Sequence, residues 1–248
     1  MTVLVDEISQ QPCNSLADRI GKVDWARMET DLARNGSAVA ERLLTRDECE
    51  ALTSLYPQSG LFRSRIVMGR YAFGKGEYQY FSYPLPDMVT ELRTELYRRL
   101  APIANGWNQR LKIATCYPGE HADYLGLCHQ AGQKRPTPLL LQYGEEDYCC
   151  MHQDLYGELA FPMQVVILLA EPGRDFTGGE FLLAEQNPRG LSRADVVPLR
   201  QGDAVAFAVN HRPAKSARGT ARVNLRHGVS RLHSGHRHTL GIIFHDAT

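Results

Sequence analysis

The chain has 248 residues, with 28 Lys or Arg balancing 28 Asp or Glu. That length is enough to bury a full hydrophobic core, and the zero net charge carries no global signal for a polyanion. No apolar run is long enough to span a bilayer, and the N-terminal MTVLVDEISQQPCN carries acids where a leader would be basic then apolar, so a cytoplasmic protein without a membrane partner is expected.

The N-terminal third reads as helical. Asp24 is placed to cap a helix over 25–34 that Asn35-Gly36 ends, and Thr45-Arg46-Asp47-Glu48 fits a capping box for a second helix toward Tyr56. A third helix is expected from Pro86-Asp87, because Met88, Val89, Leu92, Leu96, Leu100 and Ile103 recur every three or four residues. From Leu111 the pattern shifts to short strands divided by turn residues: 111–117, 139–143, 148–152, 163–170, 179–184, 204–209, 222–229 and 237–245. Segments 126–138 and 210–221 read as exposed loops. The expected fold is mainly β, a jelly-roll core over 111–248 backed by a helical layer over 1–110, with all 248 residues in one domain. The sequence sets no oligomeric state.

The cysteines (13, 49, 116, 128, 149 and 150) form no Cys-x-x-Cys pair and read as free thiols of a reducing compartment. Cys150, two residues before His152, is also a candidate wall residue of a pocket. Charge is unevenly spread. Residues 61–112 hold nine Lys or Arg against four Asp or Glu, residues 211–248 seven against one, and residues 113–210 six against thirteen. The pattern permits a basic face on an acidic body, beside the plainer reading of solvated charge. Arg63, Arg65, Arg70 and Lys75 are candidates for contacting an anion on the same two terms.

The chemistry concentrates at His152-Gln153-Asp154. In an extended segment residues i and i+2 share a face, so one imidazole and one carboxylate can reach the same ion. Such ligands suit Fe(II), and also Zn, Mn or Co. A third ligand must come from the C-terminal histidines, and among His211, His227, His233, His236, His238 and His245 the strand pattern favours His227, with Gly228 beside it allowing close approach. Ser234-Gly235 then turns the chain, and the next strand is expected to pair with that of His227. Arg237 would lie about 10 Å from the ligand at about 3.3 Å per residue. That distance suits an extended five-carbon diacid that chelates a metal at one end. Thr239 shares the face of Arg237 and can donate its hydroxyl to the same carboxylate.

These stretches, with GGEF (178–181), QGDAVAF (201–207) and RHGVSRLHSGHRHTLGIIF (226–244), resemble the 2-oxoglutarate/Fe(II)-dependent dioxygenases. The resemblance implies a double-stranded β-helix over roughly 110–245. It also implies Fe(II) on His152, Asp154 and His227, with 2-oxoglutarate and dioxygen as cosubstrates. The segment QYGEEDYCCMHQD (142–154) is similar to the AlkB-type nucleic-acid dealkylases, where a 2-oxoglutarate-binding tyrosine lies nine residues before the metal histidine; here that is Tyr143. Over most of its length the chain is most similar to a bacterial family of predicted nucleic-acid oxygenases. It departs from AlkB at Leu141, where those enzymes carry asparagine, and in the spacing from His227 to Arg237, which resembles the prolyl hydroxylases.

Three functions compete. Oxidative dealkylation of nucleic-acid bases, with nucleic acid as partner, would use Tyr148, Tyr156 and Phe161 to stack a flipped base; the plainer reading of these rings is packing around the pocket. Hydroxylation of a protein side chain or small metabolite fits the distal spacing. A non-enzymatic metal- or ligand-binding barrel is the third, and the complete ligand and cosubstrate set that the resemblance implies speaks against it.

Overall fold

In the computed structural model, residues 15–186, 190–216 and 219–248 are described. Helices α1 (Leu16–Lys22) and α2 (Trp25–Asn35) lead through strand β1 (Ser37–Ala40) to α3 (Arg46–Thr53). The expected caps form: the Asp24 carboxylate accepts from the Arg27 N–H, Gly36 closes α2 at φ 80°, and Thr45 and Glu48 make a reciprocal capping box. The N-terminal third is nevertheless not purely helical. Strands β2 (Phe62–Val67), β3 (Gly74–Lys75) and β4 (Glu77–Phe81) follow before α4 (Asp87–Leu111) and α5 (His121–Gln130). The helix α4 occupies the start of the expected strand 111–117. The rest of that segment has no strand partner among the described residues; Asn105 and Asn108 of α4 bond its backbone instead. Likewise α5 takes up the first residues of the expected loop 126–138.

The C-terminal half carries β5 (Leu139–Tyr143), β6 (Tyr148–His152), β7 (Met163–Leu168), β8 (Phe176–Gly178), β9 (Phe181–Gln186) and β10 (Ser192–Val197). Next come β11 (Ala204–Ala208), β12 (His211–Ser216), β13 (Gly219–Val229), β14 (Leu232–Gly235) and β15 (Arg237–Ile242). The segment 210–221, expected as a loop, is a hairpin in which His211 pairs with Asn224 and Lys215 with Thr220.

Two antiparallel sheets enclose the barrel. One runs β1-β11-β7-β15-β5-β4-β2, the other β10-β9-β13-β6-β3, with β12 attached to β13. The helices join the larger sheet: Leu32, Leu96 and Trp107 belong to one buried cluster with Val205, Phe207 and Leu240. Every residue of β11 is buried, as expected of a strand covered on both faces. The smaller sheet has one free face, and β13 alternates accordingly, with Val223, Leu225 and His227 inward and Arg222, Asn224 and Arg226 outward.

This partition corrects one expectation. The strands of His227 and Arg237 are not paired. The strand β13 lies in the smaller sheet and β15 in the larger, between β5 and β7. The chain crosses over through β14, which pairs with β8. Gly235 makes the crossing at φ 80°, where a Cβ would stand 2.0 Å from the Asp175 carbonyl oxygen. The end of β15 is tied to α4 by a buried ion pair, Arg93 Nη2 to Asp246 Oδ1 at 2.8 Å, and Arg93 also donates to the Ile243 carbonyl. Among the described residues no helix is long and apolar enough to cross a membrane.

Candidate metal centre

The site forms where β6 and β13 run side by side. His152 stands opposite His227, and Cys149 opposite Val229, so three steps along β6 match two along β13. The extra residue is a β-bulge, and it resets the alternation of β6. Cys149 and His152 both face the cavity, while Cys150 and Tyr148 turn outward, Tyr148 being 41% exposed. Simple alternation would have put Tyr148 on the His152 face. The bulge removes it from the cavity wall, and Cys149 rather than Cys150 supplies the wall thiol. Phe161 is also absent from the wall; it is buried among Tyr97, Tyr117 and Phe244.

Asp154 follows β6 and meets both imidazoles. Its Oδ1 is 3.4 Å from His152 Nε2 and its Oδ2 is 3.3 Å from His227 Nε2. One ligand atom from each of the three residues falls within 4.8 Å of the others. The Nδ1–H of His152 donates to the Cys150 carbonyl at 2.8 Å, which fixes the tautomer and leaves Nε2 facing the cluster. Phe207 and Phe181 flank the His227 ring. Close strand approach here depends on Gly228, where a Cβ would lie 2.7 Å from the Cys149 carbonyl oxygen. Gln153, between the two ligands, donates to the Leu225 carbonyl and so anchors the segment to β13.

Two further side chains hold Asp154, one at each oxygen. The Tyr156 hydroxyl donates to Oδ1 at 2.9 Å, and Gln164 Nε2 donates to Oδ2 at 2.9 Å. Tyr156 is thus brought into the site, and Tyr80 donates to it in turn. Sequence reasoning missed Gln164, whose signal was a lone amide inside the otherwise apolar run Met163-Gln164-Val165-Val166-Ile167-Leu168. His152, Asp154 and His227 also set one another's charge. Burial opposes the charge on Asp154, but the hydrogen bonds from His152 and His227 outweigh it and hold the carboxyl well below its usual range. Burial likewise disfavours the His152 imidazolium, yet Asp154 and Cys149 keep its proton up to about 11. His227 is lowered by burial.

Across the cavity, β5 and β15 bring Tyr143 and Arg237 into direct register. Both side chains are 1% exposed, as is Thr239 one step along the same face. Gly179, at φ 64°, lies where a Cβ would stand 2.4 Å from Leu232 Cδ1 and 3.0 Å from Arg237 Cδ, which accounts for a glycine of the GGEF stretch. The Nε and Nη1 of Arg237 have no hydrogen-bond partner among the described residues. Burial lowers its pKa to about 10, so it remains a cation at neutral pH. Burial, reinforced by Cys149, pushes the Tyr143 phenol well above its ordinary value, keeping it a neutral donor. A cavity of about 370 Å³ joins the two ends, and Phe73, Tyr78, Tyr156, Leu141 and Val166 are among its walls.

The donors fit the groups they would have to hold. Two imidazoles and a carboxylate, with one face open to the cavity, are an Fe(II) set, and the orphaned guanidinium opposite them asks for an anion. Fold and site together define a 2-oxoglutarate/Fe(II) oxygenase, an oxidoreductase with Fe(II) on His152, Asp154 and His227. Residues 76–247 match a family described as an oxygenase catalysing oxidative methylation of damaged DNA, and the chain belongs to that family. A curated relative, the uncharacterized protein Rv2227 of Mycobacterium tuberculosis, is 47% identical over 167 residues, 67% of this chain and 72% of the relative. Among solved structures, the chain is similar to a prolyl-4-hydroxylase of Pseudomonas putida at TM-score 0.53 and 15% identity, covering 90% of this chain and 100% of that one. It is also similar to a prolyl hydroxylase of Trichoplax adhaerens at TM-score 0.56 and 14% identity, covering 96% and 94%. At such identities these two likenesses speak for the fold alone.

Proposed function

We propose that the C–H bond oxidised by this enzyme belongs to an alkyl group on a nucleic-acid base. The observation that carries this reading is the aromatic wall of the cavity beside the ligands: Phe73, Tyr78 and Tyr156 flank the space next to Asp154. Aromatic rings of this kind offer faces on which a base turned out of its stack can pack. The description of the matching family supports the same substrate class.

When bound, Fe(II) supplies activation of dioxygen, with 2-oxoglutarate as the co-reductant that leaves as succinate and carbon dioxide. The chain's own residues do the rest. Arg237 receives the far carboxylate of 2-oxoglutarate as a charge-assisted pair, with Thr239 and Tyr143 donating hydroxyls beside it. Tyr156 and Gln164 hold the two oxygens of Asp154, so the carboxylate cannot swing away from the imidazoles. The apolar walls Leu141, Val166 and Phe181 exclude water from the reacting space. Hydroxylation of an N-methyl group gives a carbinolamine whose C–N bond breaks to release formaldehyde and the free base, so the chemistry removes the methyl.

The test is to incubate the Fe(II)-loaded enzyme and 2-oxoglutarate with oligonucleotides that each carry one N-methylated base. Succinate and formaldehyde should appear in equal amounts. Prolyl or other peptides are the comparison arm, because the distance in sequence from His227 to Arg237 also fits protein hydroxylases. Succinate driven by a peptide and by no methylated oligonucleotide would refute the reading.

A further inference from the structure

The free face of the smaller sheet has a composition that the catalytic centre does not require. The strand β13 presents Arg222, Asn224 and Arg226 there. Strand pairing assigns the neighbouring residues to the same face. From β9 come Leu182, Ala184 and Gln186. From β10 come Ser192, Ala194 and Val196. Beyond β13, β12 adds Lys215, while β3 and β6 add the facing pair Lys75 and Tyr148. None of these strand residues is a carboxylate; the exposed Glu180, one residue before β9 and in phase with Leu182, is bonded to Ser230 at the end of the face away from Arg222 and Arg226. The acids of β9 and β10, Glu185 and Asp195, occupy the opposite phase, Glu185 bonding Arg212 inside and Asp195 pairing with Arg193. Arg222, Arg226 and Lys215 are exposed and make no ion pair among the described residues. Lys75 alone has an acidic neighbour, Asp147 at 3.6 Å.

This basic face is continuous with the catalytic cavity. Phe73, in the cavity wall, stacks on Tyr71, which is 62% exposed. The chain then runs through Gly74 into Lys75, at the edge of the same sheet. A track therefore leads from the cavity over Tyr71, Lys75 and Tyr148 to Arg226 and Arg222.

We infer that this outer sheet face binds the sugar-phosphate backbone of a DNA strand whose alkylated base enters the cavity. The inference rests on the base-directed reading of the site. Charge complementarity selects the occupant: exposed cations without ion pairs among the described residues, set among small, polar and apolar residues on one sheet face, suit a polyanion. Tyr71 and Tyr148 offer rings for neighbouring bases. The outward position of Tyr148, which removes it from the cavity, places it on this track.

The experiment measures binding of labelled single-stranded and duplex DNA by fluorescence anisotropy over a salt series. It compares wild type with R222Q/R226Q, with K215Q, and with the control R27Q/R98Q, which removes two exposed cations from the helical layer. Loss of two phosphate contacts should flatten the plot of log affinity against log salt by about 1.4 for a single strand and about 1.8 for a duplex. K215Q should flatten it by about 0.7 for a single strand, and the control should match wild type. An unchanged slope in both sheet variants overturns the inference, as does a control that behaves like R222Q/R226Q. So does binding to anionic vesicles that R222Q/R226Q abolishes while DNA binding persists. Formaldehyde release from a methylated strand with an unchanged slope would leave the reading of the catalytic site standing and remove this surface. A flattened slope without formaldehyde from any methylated strand would do the reverse.

Discussion

Replacing Arg237 with methionine should stabilise the protein without ligand and abolish its response to 2-oxoglutarate. The side chain is 1% exposed, and Nε and Nη1 lack partners. Burial brings its pKa from 12.5 to about 10. That depression corresponds to about 3 kcal/mol of unfavourable burial at 1.36 kcal/mol per unit. Contacts with the Tyr143 and Phe176 rings, at 5.6 and 6.0 Å from the guanidinium carbon, return part of it. Methionine keeps much of the stem's packing and carries no charge. A net gain of about 1–2 kcal/mol follows, or roughly 2–8 °C in melting temperature for a chain of this size. On the proposed role of Arg237 the diacid would neutralise the cation in wild type, so 2-oxoglutarate should raise the melting temperature. In Arg237→Met that shift should vanish, because removing one member of a buried ion pair costs about 3–5 kcal/mol, or over a hundredfold in affinity. Thermal melts with and without 2-oxoglutarate read both effects. A variant that melts lower than wild type without ligand, or that still responds fully to 2-oxoglutarate, would show that the arginine is structural.

Tyr156→Phe removes the hydrogen bond to Asp154 Oδ1 and leaves the ring; affinity for Co(II), used as an iron substitute, should fall about tenfold by calorimetry, and an unchanged value would refute the positioning role. Stability should also fall in acid. Burial lowers His121 and His245 to about 4 each, so between pH 6.5 and 4 the unfolded chain binds the extra protons. The stabilisation is complete above pH 6.5 and declines toward pH 4, by about 2–3 kcal/mol per residue. Urea unfolding at pH 7 and pH 4.5 checks it, and equal midpoints would contradict the burial argument.

The ligand set was legible in the sequence because it rests on residue identity. Two histidines and an aspartate keep their chemistry however the strands are arranged. Helix starts were equally legible, since Asp24 and Thr45 cap through contacts three residues away. What escaped depends on partners distant in the chain. The strands β1 to β4 are two to six residues long and become strands only by pairing, β1 with β11 and β4 with β5. The bulge in β6 leaves no mark in Cys149-Cys150-Met151 and appears only against β13. Gln164 and Tyr80 act through Asp154 and Tyr156 from other strands, so their roles follow from sheet topology rather than from any local motif.

The expected distance between metal ligand and arginine has a different origin from the one the spacing suggested. A hairpin of two paired strands would have set about 10 Å along the strand direction. The chain instead crosses from the smaller sheet to the larger through Gly235, and two stacked sheets also lie about 10 Å apart. The ten residues after His227 therefore span the barrel rather than one edge of it. His152, Asp154 and His227 sit at the wall built by β6 and β13, and Arg237, Thr239 and Tyr143 at the wall built by β5 and β15. A diacid that touches both walls must match the separation of the sheets, which the packed core holds fixed. In succinate the carbon that bore the keto oxygen has become a carboxylate, so on the proposed binding mode a molecule anchored at Arg237 would keep one point of attachment at the opposite wall and lose the second. On that proposal the barrel would distinguish cosubstrate from product by the number of groups that meet the opposite wall, at a spacing its fold already requires.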